Sequence, residues 1–314
     1  MKKFRVVIIG IGHVGSHCAL ALITRGIADE IIIIDINEEK AVSQTLDLGD
    51  AAIFAPRPVT VRTGGYAHCR EADIVVVCVG SPPDLNRSRM DYLLETKDMV
   101  KSITGPLKDS GFSGILINIS NPADVVTYYL QTRTGFPAER VISTSNMLDS
   151  ARLTRILSEK TGVAPQEIEA FSMGEHGASL MVPWSQLRIK GKPLLEQIEE
   201  GALTGLDLAE IKELTKRAGY DVIRGKGSTE FGIGAALAEL VQCILRDERK
   251  TLPVAVYLDG EYGQREVYAA VPTVVGRDGV AEIKEIPLTK EELQEFAASC
   301  TAIRQVYRQM LEDN

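Results

Sequence analysis

The stretch Gly10-Ile11-Gly12-His13-Val14-Gly15 lies between a segment typical of a strand and a segment typical of a helix. Residues 4–9 before it form an apolar run, and residues 13–24 have the pattern of a helix. Glycines at this spacing make a tight turn, let the backbone approach a pyrophosphate, and allow close helix–strand packing. The helix N-terminus then directs free N–H groups at the phosphates. A plain strand–helix turn would also explain the glycines, so a second signal is needed.

The second signal is an acidic residue at the end of the next predicted strand. Four consecutive isoleucines (31–34) are followed by Asp35, which lies 20 residues beyond Gly15. A carboxylate at this position accepts hydrogen bonds from an adenosine ribose and repels a 2′-phosphate. The combined pattern therefore predicts a dinucleotide site that takes NAD rather than NADP.

Length, charge and cysteine usage narrow the class of protein. The chain has 314 residues, which is enough for two hydrophobic cores. Its net charge of −8 disfavours nucleic acid or an anionic membrane surface as a partner. The five cysteines are scattered and form no CxxC pair, so neither a disulfide framework nor a metal site is expected. With no signal-peptide pattern and no apolar run of membrane-spanning length, we expect a cytoplasmic protein.

The texture of the sequence changes near residue 143. Up to that point, continuous apolar runs alternate with helical patterns, which is typical of parallel strands covered on both faces. The prediction is an α/β fold, with a doubly wound Rossmann domain over residues 1–143 and an α+β domain over residues 144–314. In the second part, residues 252–258, 266–271 and 280–286 have the pattern of an antiparallel meander, and a capping box (Thr289 with Glu292) starts the last helix.

One of the four histidines stands out as a candidate acid/base group. His176 lies in Gly174-Glu175-His176-Gly177, directly after an apolar segment (168–173) that is predicted as a strand. A single loop histidine is more often a plain surface residue. Asp149 and Arg152, at i and i+3 on one predicted helix, share a face and favour a functional site. An intrahelical salt bridge explains that pair equally simply.

At this point the sequence resembles the L-2-hydroxyacid dehydrogenases of the lactate/malate dehydrogenase family, over essentially its whole length. The resemblance is carried by IIGIGHVGSHCALAL, IIIIDIN, ISNPADV, MLDSARL, GEHG, VPWSQ, KGST, YLDGEYG and VPTVVGRDG. This set is far more specific than three glycines alone. It implies reversible hydride transfer between NADH and a small 2-oxo acid. The cofactor-binding residues that it implies are Gly10, Gly12, His13, Val14, Gly15, Asp35, Gly80 and Asn121.

The resemblance also implies roles for the residues of the second half. His176 matches the family's proton donor and acceptor, and Asp149 matches the carboxylate that orients it. Arg152 matches the residue that grips the substrate carboxylate through a bidentate fork. Arg89 matches the arginine that a loop brings over the substrate carbonyl, although Arg87 competes for that role.

Two further pocket residues follow from the resemblance. Asn121 resembles the asparagine that orients the substrate carbonyl and the cofactor ribose. Thr229 in KGST resembles a residue of the pocket wall, although N-capping of a helix over 230–246 would explain it almost as well.

The chain departs from the family pattern at the residue that selects the substrate. Six residues before Arg89, lactate-type members have Gln and malate-type members have Arg, whereas this chain has Pro83. Proline has no side-chain donor, so a second substrate carboxylate would have no partner. Pyruvate or a longer apolar 2-oxo acid is therefore favoured, and pocket shape alone separates such substrates by only about 1–3 kcal/mol per methylene.

Two other functions stay open at this stage. One is a malate dehydrogenase that uses Arg87 in place of the missing loop arginine. The other is an NAD-binding sensor or structural subunit without catalysis, which would have no use for a paired acid/base and a carboxylate clamp. Relatives in the family are dimers and tetramers, so a homodimer or homotetramer is expected.

Overall fold

The computed structural model describes residues 3–81 and 89–312, with side chains in the second range from residue 93 onward. Its helices are α1 (His13–Thr24), α2 (Glu38–Ala52), α3 (Arg89–Asp109), α4 (Ala123–Thr134), α5 (Asn146–Thr161), α6 (Leu194–Glu199), α7 (Leu208–Lys226), α8 (Phe231–Arg246) and α9 (Lys290–Glu312). Its strands are β1 (Arg5–Ile9), β2 (Glu30–Ile34), β3 (Thr60–Thr63), β4 (Ile74–Val77), β5 (Ile115–Asn118), β6 (Val141–Ser143), β7 (Ile168–Glu169), β8 (Arg188–Ile189), β9 (Lys192–Pro193), β10 (Lys250–Asp259), β11 (Arg265–Gly276) and β12 (Gly279–Ile283).

The described residues form one nine-stranded sheet in the order β12-β11-β10-β6-β5-β4-β1-β2-β3. The six strands from β6 to β3 are parallel, and helices cover both faces, so the continuous apolar runs are buried as predicted. Strand order reverses beside β1, which has β2 on one side and β4 on the other. In doubly wound sheets this switch point is where ligands bind, and the glycine loop follows β1 directly. The predicted fold class is confirmed.

The second half contributes to the same sheet rather than to a separate one. Strands β10, β11 and β12 form the predicted antiparallel meander, and Ala255 of β10 pairs with Ser143 of β6. The short β7, β8 and β9 make a small second sheet. Thus the parallel and antiparallel parts share one continuous layer, which the change of sequence texture at residue 143 does not reveal.

The strand predicted over residues 168–173 was wrong in extent. Only Ile168 and Glu169 are strand, and Met173 makes an isolated bridge with Met181. Between them, the backbone N–H of Ser172 donates to the side chain of Ser150 on α5 instead of to a neighbouring strand. The segment is therefore held by a helix, and it leads into the His176 loop.

A separate small core fixes α5 in place. Apolar residues of α5, α7 and the second sheet pack together, among them Leu153, Leu157, Ile189 and Ile211, each at most 1 % exposed. One face of α5 is thus buried, so the side chains at its N-terminal end have a fixed direction. No helix in the described part of the chain is long and apolar enough to cross a membrane.

Candidate active site

Two of the three glycines of the first loop have a steric reason to be glycine, and the third leaves open space. Gly10 has φ +97°, and a Cβ there would lie 2.7 Å from the carbonyl oxygen of Cys78. A Cβ at Gly15 would lie 2.0 Å from the carbonyl oxygen of Gly10, so α1 could not approach β1 with any other residue. At Gly12 the nearest atom is Lys40 Nζ, 4.0 Å away, which leaves open space at the N-terminus of α1. This loop therefore fits a pyrophosphate.

Asp35 lies at the end of β2 and binds the glycine loop directly. Its Oδ2 accepts a hydrogen bond from the N–H of Ile11 at 2.7 Å, and its Oδ1 accepts one from Asn37 at 2.9 Å. With Gly64 and His68, among others, it lines a depression of about 350 Å³. Since each carboxylate oxygen has two lone pairs, these bonds leave capacity for a ribose hydroxyl. No sequence pattern indicates the contact with Ile11.

The remaining predicted cofactor residues lie around the same edge. Val14 is half-buried in α1 against the core, and His13 begins that helix with an exposed side chain. Gly80 follows β4 and is exposed, with open space where a Cβ would be.

His176, Asp149 and Arg152 meet at one carboxylate. Asp149 Oδ2 lies 2.5 Å from His176 Nδ1, and Asp149 Oδ1 lies 2.7 Å from Arg152 Nη1. The Asp149 side chain is 4 % exposed, whereas that of His176 is 24 % exposed. The intrahelical ion pair considered above is therefore present, and it shares its carboxylate with the imidazole. This geometry leaves Nε2 of His176 available to a substrate.

The charges of this cluster support one another. Burial by itself disfavours the imidazolium, but the Asp149 carboxylate outweighs it and raises the pKa of His176 above its ordinary value. Burial likewise acts to raise the pKa of Asp149, and the charges of His176 and Arg152 reverse this and hold that pKa below its ordinary value. Thus Asp149 stays ionised, and the imidazole can carry a proton near neutral pH.

Arg152 rests against α7. A Cβ at Gly219 would lie 3.2 Å from Arg152 Nη2, so the absence of a side chain at that residue makes room for the guanidinium. The Arg152 side chain is 14 % exposed and uses one nitrogen on Asp149. A guanidinium has five N–H donors, so donors remain for a second carboxylate.

The His176 loop is fixed from its backbone. Gly174 has φ +83°, and it exchanges two backbone hydrogen bonds with Ala270 of β11, at 2.9 and 3.0 Å. The N–H of His176 itself donates to Asp124 Oδ2 at 2.8 Å. Asp124 is buried on α4, and the sequence analysis did not select it as a site residue. The SNPAD pattern that contains it was noted only for Asn121.

The other predicted pocket residues are less completely described. Asn121 is exposed between β5 and α4, and its peptide bond to Pro122 is cis. Pro83 and Arg87 lie outside the described residues. Arg89 is the first residue of α3, and its side chain also lies outside them.

Thr229 is half-buried just before α8 and is not explained by capping. The helix begins at Phe231 rather than 230, and its N-cap residue, Glu230, makes no side-chain capping bond. Instead Glu230 accepts hydrogen bonds from Lys226 and Ser228 and lies 3.5 Å from His13 Nδ1. Those hydrogen bonds lower the pKa of Glu230 to about 2. The Thr229 segment therefore contacts the helix that follows the glycine loop, through Glu230 and His13.

Within residues 3–81 and 89–312, no group of three or more His, Cys, Asp or Glu side chains is arranged to hold a metal ion. The five cysteines are free thiols, and four of them are buried.

Comparison with known proteins gives the same family for both halves. Residues 4–143 match the NAD binding domain of lactate/malate dehydrogenase, and residues 146–313 match its alpha/beta C-terminal domain. L-lactate dehydrogenase 3 of Bacillus thuringiensis subsp. konkukian is 40 % identical over 302 residues, covering 96 % of each chain. The L-lactate dehydrogenase of Fusobacterium nucleatum subsp. nucleatum is 40 % identical over 306 residues, covering 97 % of this chain and 96 % of its own.

A solved structure shares the whole fold. The ligand-bound crystal structure of minor L-lactate dehydrogenase from Enterococcus mundtii superposes with a TM-score of 0.95 at 34 % identity, covering 98 % of each chain. The likeness therefore extends over both halves and matches the resemblance read from the sequence motifs. This chain belongs to the lactate/malate dehydrogenase family.

Proposed function

We propose that this protein is an NAD-dependent L-2-hydroxyacid dehydrogenase of the L-lactate type. The observation that carries the proposal is the shared carboxylate of Asp149, which holds a proton donor and a guanidinium fork at one place. A 2-oxo acid has one carboxylate to be gripped and one carbonyl to be protonated, so it needs this pair of groups. The similar chains from Bacillus thuringiensis and Fusobacterium nucleatum are both L-lactate dehydrogenases.

The first half fits the cofactor that this function requires. Gly12 and the N-terminus of α1 provide the open phosphate cradle, and the Asp35 carboxylate at the end of β2 takes the adenosine ribose. The bound NADH supplies the hydride for the substrate carbon. We extend the cofactor site to His13, Val14, Gly80 and Asn121, which border the same edge.

His176 moves the proton. With Nδ1 bonded to Asp149, the imidazole carries the transferable proton at Nε2 and donates it to the substrate oxygen during reduction. In oxidation the neutral imidazole takes the hydroxyl proton at the same atom. Asp149 stays ionised throughout and stabilises the imidazolium, and such positioned acid/base catalysis contributes about 10²–10⁴-fold to the rate.

Arg152 binds the substrate carboxylate. Its fixed position between Asp149 and Gly219 holds the substrate in one orientation, which lowers the entropic part of the barrier. We assign Arg89 to the substrate carbonyl, where a guanidinium stabilises the developing alkoxide. Asn121 and Thr229 complete the pocket, as carbonyl-orienting and wall residues respectively.

Pro83 excludes a second carboxylate from the substrate. Since it offers no donor, oxaloacetate would bring an unpaired charge into the pocket, at a cost that apolar 2-oxo acids avoid. Pyruvate or a longer apolar 2-oxo acid is therefore the proposed substrate. A malate dehydrogenase that uses Arg87 is the second candidate.

We also retain the division of the chain into domains 1–143 and 144–314, and we propose a cytoplasmic homodimer or homotetramer. Apolar side chains are exposed along α2 and just after it, at Val42, Leu46, Ile53 and Phe54. A contiguous exposed apolar face is typical of an interface between subunits. Size-exclusion chromatography with light scattering should therefore give a mass of two or four chains, and Leu46→Glu should reduce it.

One assay tests the function against both alternatives. The purified protein is mixed with NADH and, in turn, pyruvate, 2-oxo-4-methylpentanoate and oxaloacetate, and NADH oxidation is followed. The proposal expects turnover with the first two and little with the third. Preference for oxaloacetate would favour the malate enzyme, and NADH binding without turnover of any substrate would favour the non-catalytic sensor.

A further inference from the structure

Asp124 is a buried carboxylate that the mechanism above does not use. It lies in the first turn of α4 and is 2 % exposed. Both oxygens are engaged: Oδ2 accepts from the backbone N–H of His176 at 2.8 Å, and Oδ1 accepts from the hydroxyl of Ser145 at 2.7 Å. The two donors belong to different segments of the second half.

Hydrogen bonding alone does not call for a charge at this residue. An asparagine could accept from His176 with its oxygen and donate to the Ser145 hydroxyl with its nitrogen. The charged form is also costly, because burial raises the pKa of Asp124 to about 6, although its hydrogen bonds act in the opposite direction. Since burial works against the negative charge, the presence of an acid rather than an amide at this residue needs an explanation.

The explanation lies in what the charge faces. Around His176 stand Asp149 and Arg152 on α5, Asp124 on α4, and the neighbouring Glu175, whose carboxylate binds Ser179. The Cys300 thiol on α9 also faces Asp124, and burial raises the pKa of that thiol to about 12. The Asp124 charge acts on the imidazole in the same direction as Asp149, whereas Arg152 opposes it. The proton on His176 is thus favoured by two carboxylates from two different helices.

The same carboxylate also sets the position of α5. Ser145 directly precedes that helix and has φ +31°, a conformation that is unfavourable for a residue other than glycine. Its hydroxyl, bonded to Asp124, holds it there. Asp124 therefore connects the start of the helix that carries Asp149 to the loop that carries His176.

We propose that Asp124 is a positioning residue for proton transfer: it fixes the backbone of His176, and its negative charge keeps the imidazole protonated together with Asp149. The inference rests on the proposed role of His176 as the acid/base. It predicts that removing the charge, while keeping both hydrogen bonds, changes how the rate depends on pH rather than only how fast the enzyme works.

The test compares Asp124→Asn with a matched control, Glu292→Gln. Glu292 is also a buried carboxylate that accepts from the backbone N–H and the hydroxyl of Ser185, and from the N–H of Thr289, but it is not part of the His176 cluster. For each protein, kcat/KM for pyruvate is measured from pH 5 to 10 at saturating NADH. Reduction needs protonated His176, so the alkaline limb of the profile reports loss of that proton.

In Asp124→Asn the alkaline limb should move to lower pH by about one unit, the lower end of the shift that an opposite charge causes at a nearby titrating group. On the alkaline side this means about a tenfold loss of kcat/KM, and at the acid end the rates should be close to wild type. The limb of Glu292→Gln should stay in place. An unmoved limb in Asp124→Asn, an equal loss at every pH, or the same shift in both variants would overturn the inference.

Two additions keep the result interpretable. His176→Asn, assayed in parallel, tests the premise: if it retained activity, the proposed function of His176 would fail, whatever Asp124 does. A titration of the wild-type protein needs no variant to fold. The ¹³Cε1 resonance of His176 should show a second, smaller inflection near pH 6 from Asp124. Asp149 would not cause this inflection, because burial is outweighed there by the charges of His176 and Arg152, which hold its pKa below its ordinary value. A single-step curve would therefore overturn the inference.

Discussion

The cofactor loop and the His176 cluster are built in opposite ways. In the loop, Gly10, Gly12 and Gly15 lie within six residues, and their function depends on backbone geometry and on the absence of side chains. In the cluster, Asp149 comes from α5 and His176 from a loop 27 residues later, and each acts through its side chain. The first site can be recognised from local sequence, whereas the second exists only once the fold has brought distant segments together.

The two regions also use carboxylates differently. Asp35 accepts from the backbone N–H groups of Ile11 and Asn37, so it supports the turn at the proposed cofactor site. Asp149 accepts from the His176 imidazole and the Arg152 guanidinium in a nearly fully buried setting. Substitution at Asp35 should therefore change which cofactor binds, and substitution around Asp149 should change proton transfer or substrate binding.

The largest effect should come from His176→Asn. The amide cannot donate and retrieve a proton at neutral pH, so kcat should fall by about 10²–10⁴-fold. NADH binding, followed by its fluorescence, should be unchanged because the cofactor loop lies at a different part of the site. Near-normal turnover would show that the acid/base centre has been assigned to the wrong residue.

Arg152→Lys should act mainly on substrate binding. A lysine replaces the bidentate fork by a point charge, so KM for pyruvate should rise by about 100-fold. The matched control is Arg155→Lys on the same helix, where the exposed guanidinium pairs with Glu159. That control should leave KM unchanged, and a similar rise in both variants would point to a general effect on α5.

Asp35→Ser tests the cofactor side of the comparison. Loss of the carboxylate should reduce the preference for NADH over NADPH by about tenfold, because the repulsion of the 2′-phosphate disappears. The upper limit of this change is a few kcal/mol. Loss of the hydrogen bond from Ile11 would also disturb the glycine loop. That effect would weaken the binding of NADH and NADPH equally, so it would cancel in the ratio of their affinities. A wild-type protein that used NADPH as well as NADH would contradict the assignment.

Local patterns predicted the elements that depend on near neighbours. Helix α1 begins and ends at the predicted residues, 13 and 24, because the glycine turn and the apolar spacing both lie within it. The capping box at the start of α9 is present, with Thr289 and Glu292 exchanging backbone and side-chain hydrogen bonds.

Features that depend on long-range contacts were missed. The pairing of β10 with β6 joins residues more than a hundred positions apart, and no local pattern specifies it. In the sequence, Asp124 is an acidic residue near a helix start, a common position because its charge interacts favourably with the helix dipole. Its partners, Ser145 and His176, are 21 and 52 residues away, so its role follows only from the fold.

The smallest expected effect concerns stability at the Asp124 link. Because burial raises the folded-state pKa of Asp124 from 3.8 to about 6, the wild type is most stable with this group protonated. That contribution is fully present below about pH 3.8 and is lost as the pH rises through about 6. Asn at residue 124 does not titrate. The free energy of unfolding of Asp124→Asn should therefore rise relative to that of wild type over this window, by about 1.4 kcal/mol per pH unit at the steepest point.

Urea unfolding of both proteins at equal concentration, at pH 4.5, 5.5, 6.5 and 7.5, measures this difference. A pH-independent difference in the free energy of unfolding reflects the altered hydrogen bonds of Asn at residue 124. Only the change of that difference with pH reports the Asp124 charge. A difference that shrank with rising pH would mean that the folded protein stabilises the Asp124 carboxylate. Combined with a shifted activity profile, the expected result would show that this charge lowers stability at the pH where it supports His176, a conflict for which the cofactor loop has no counterpart.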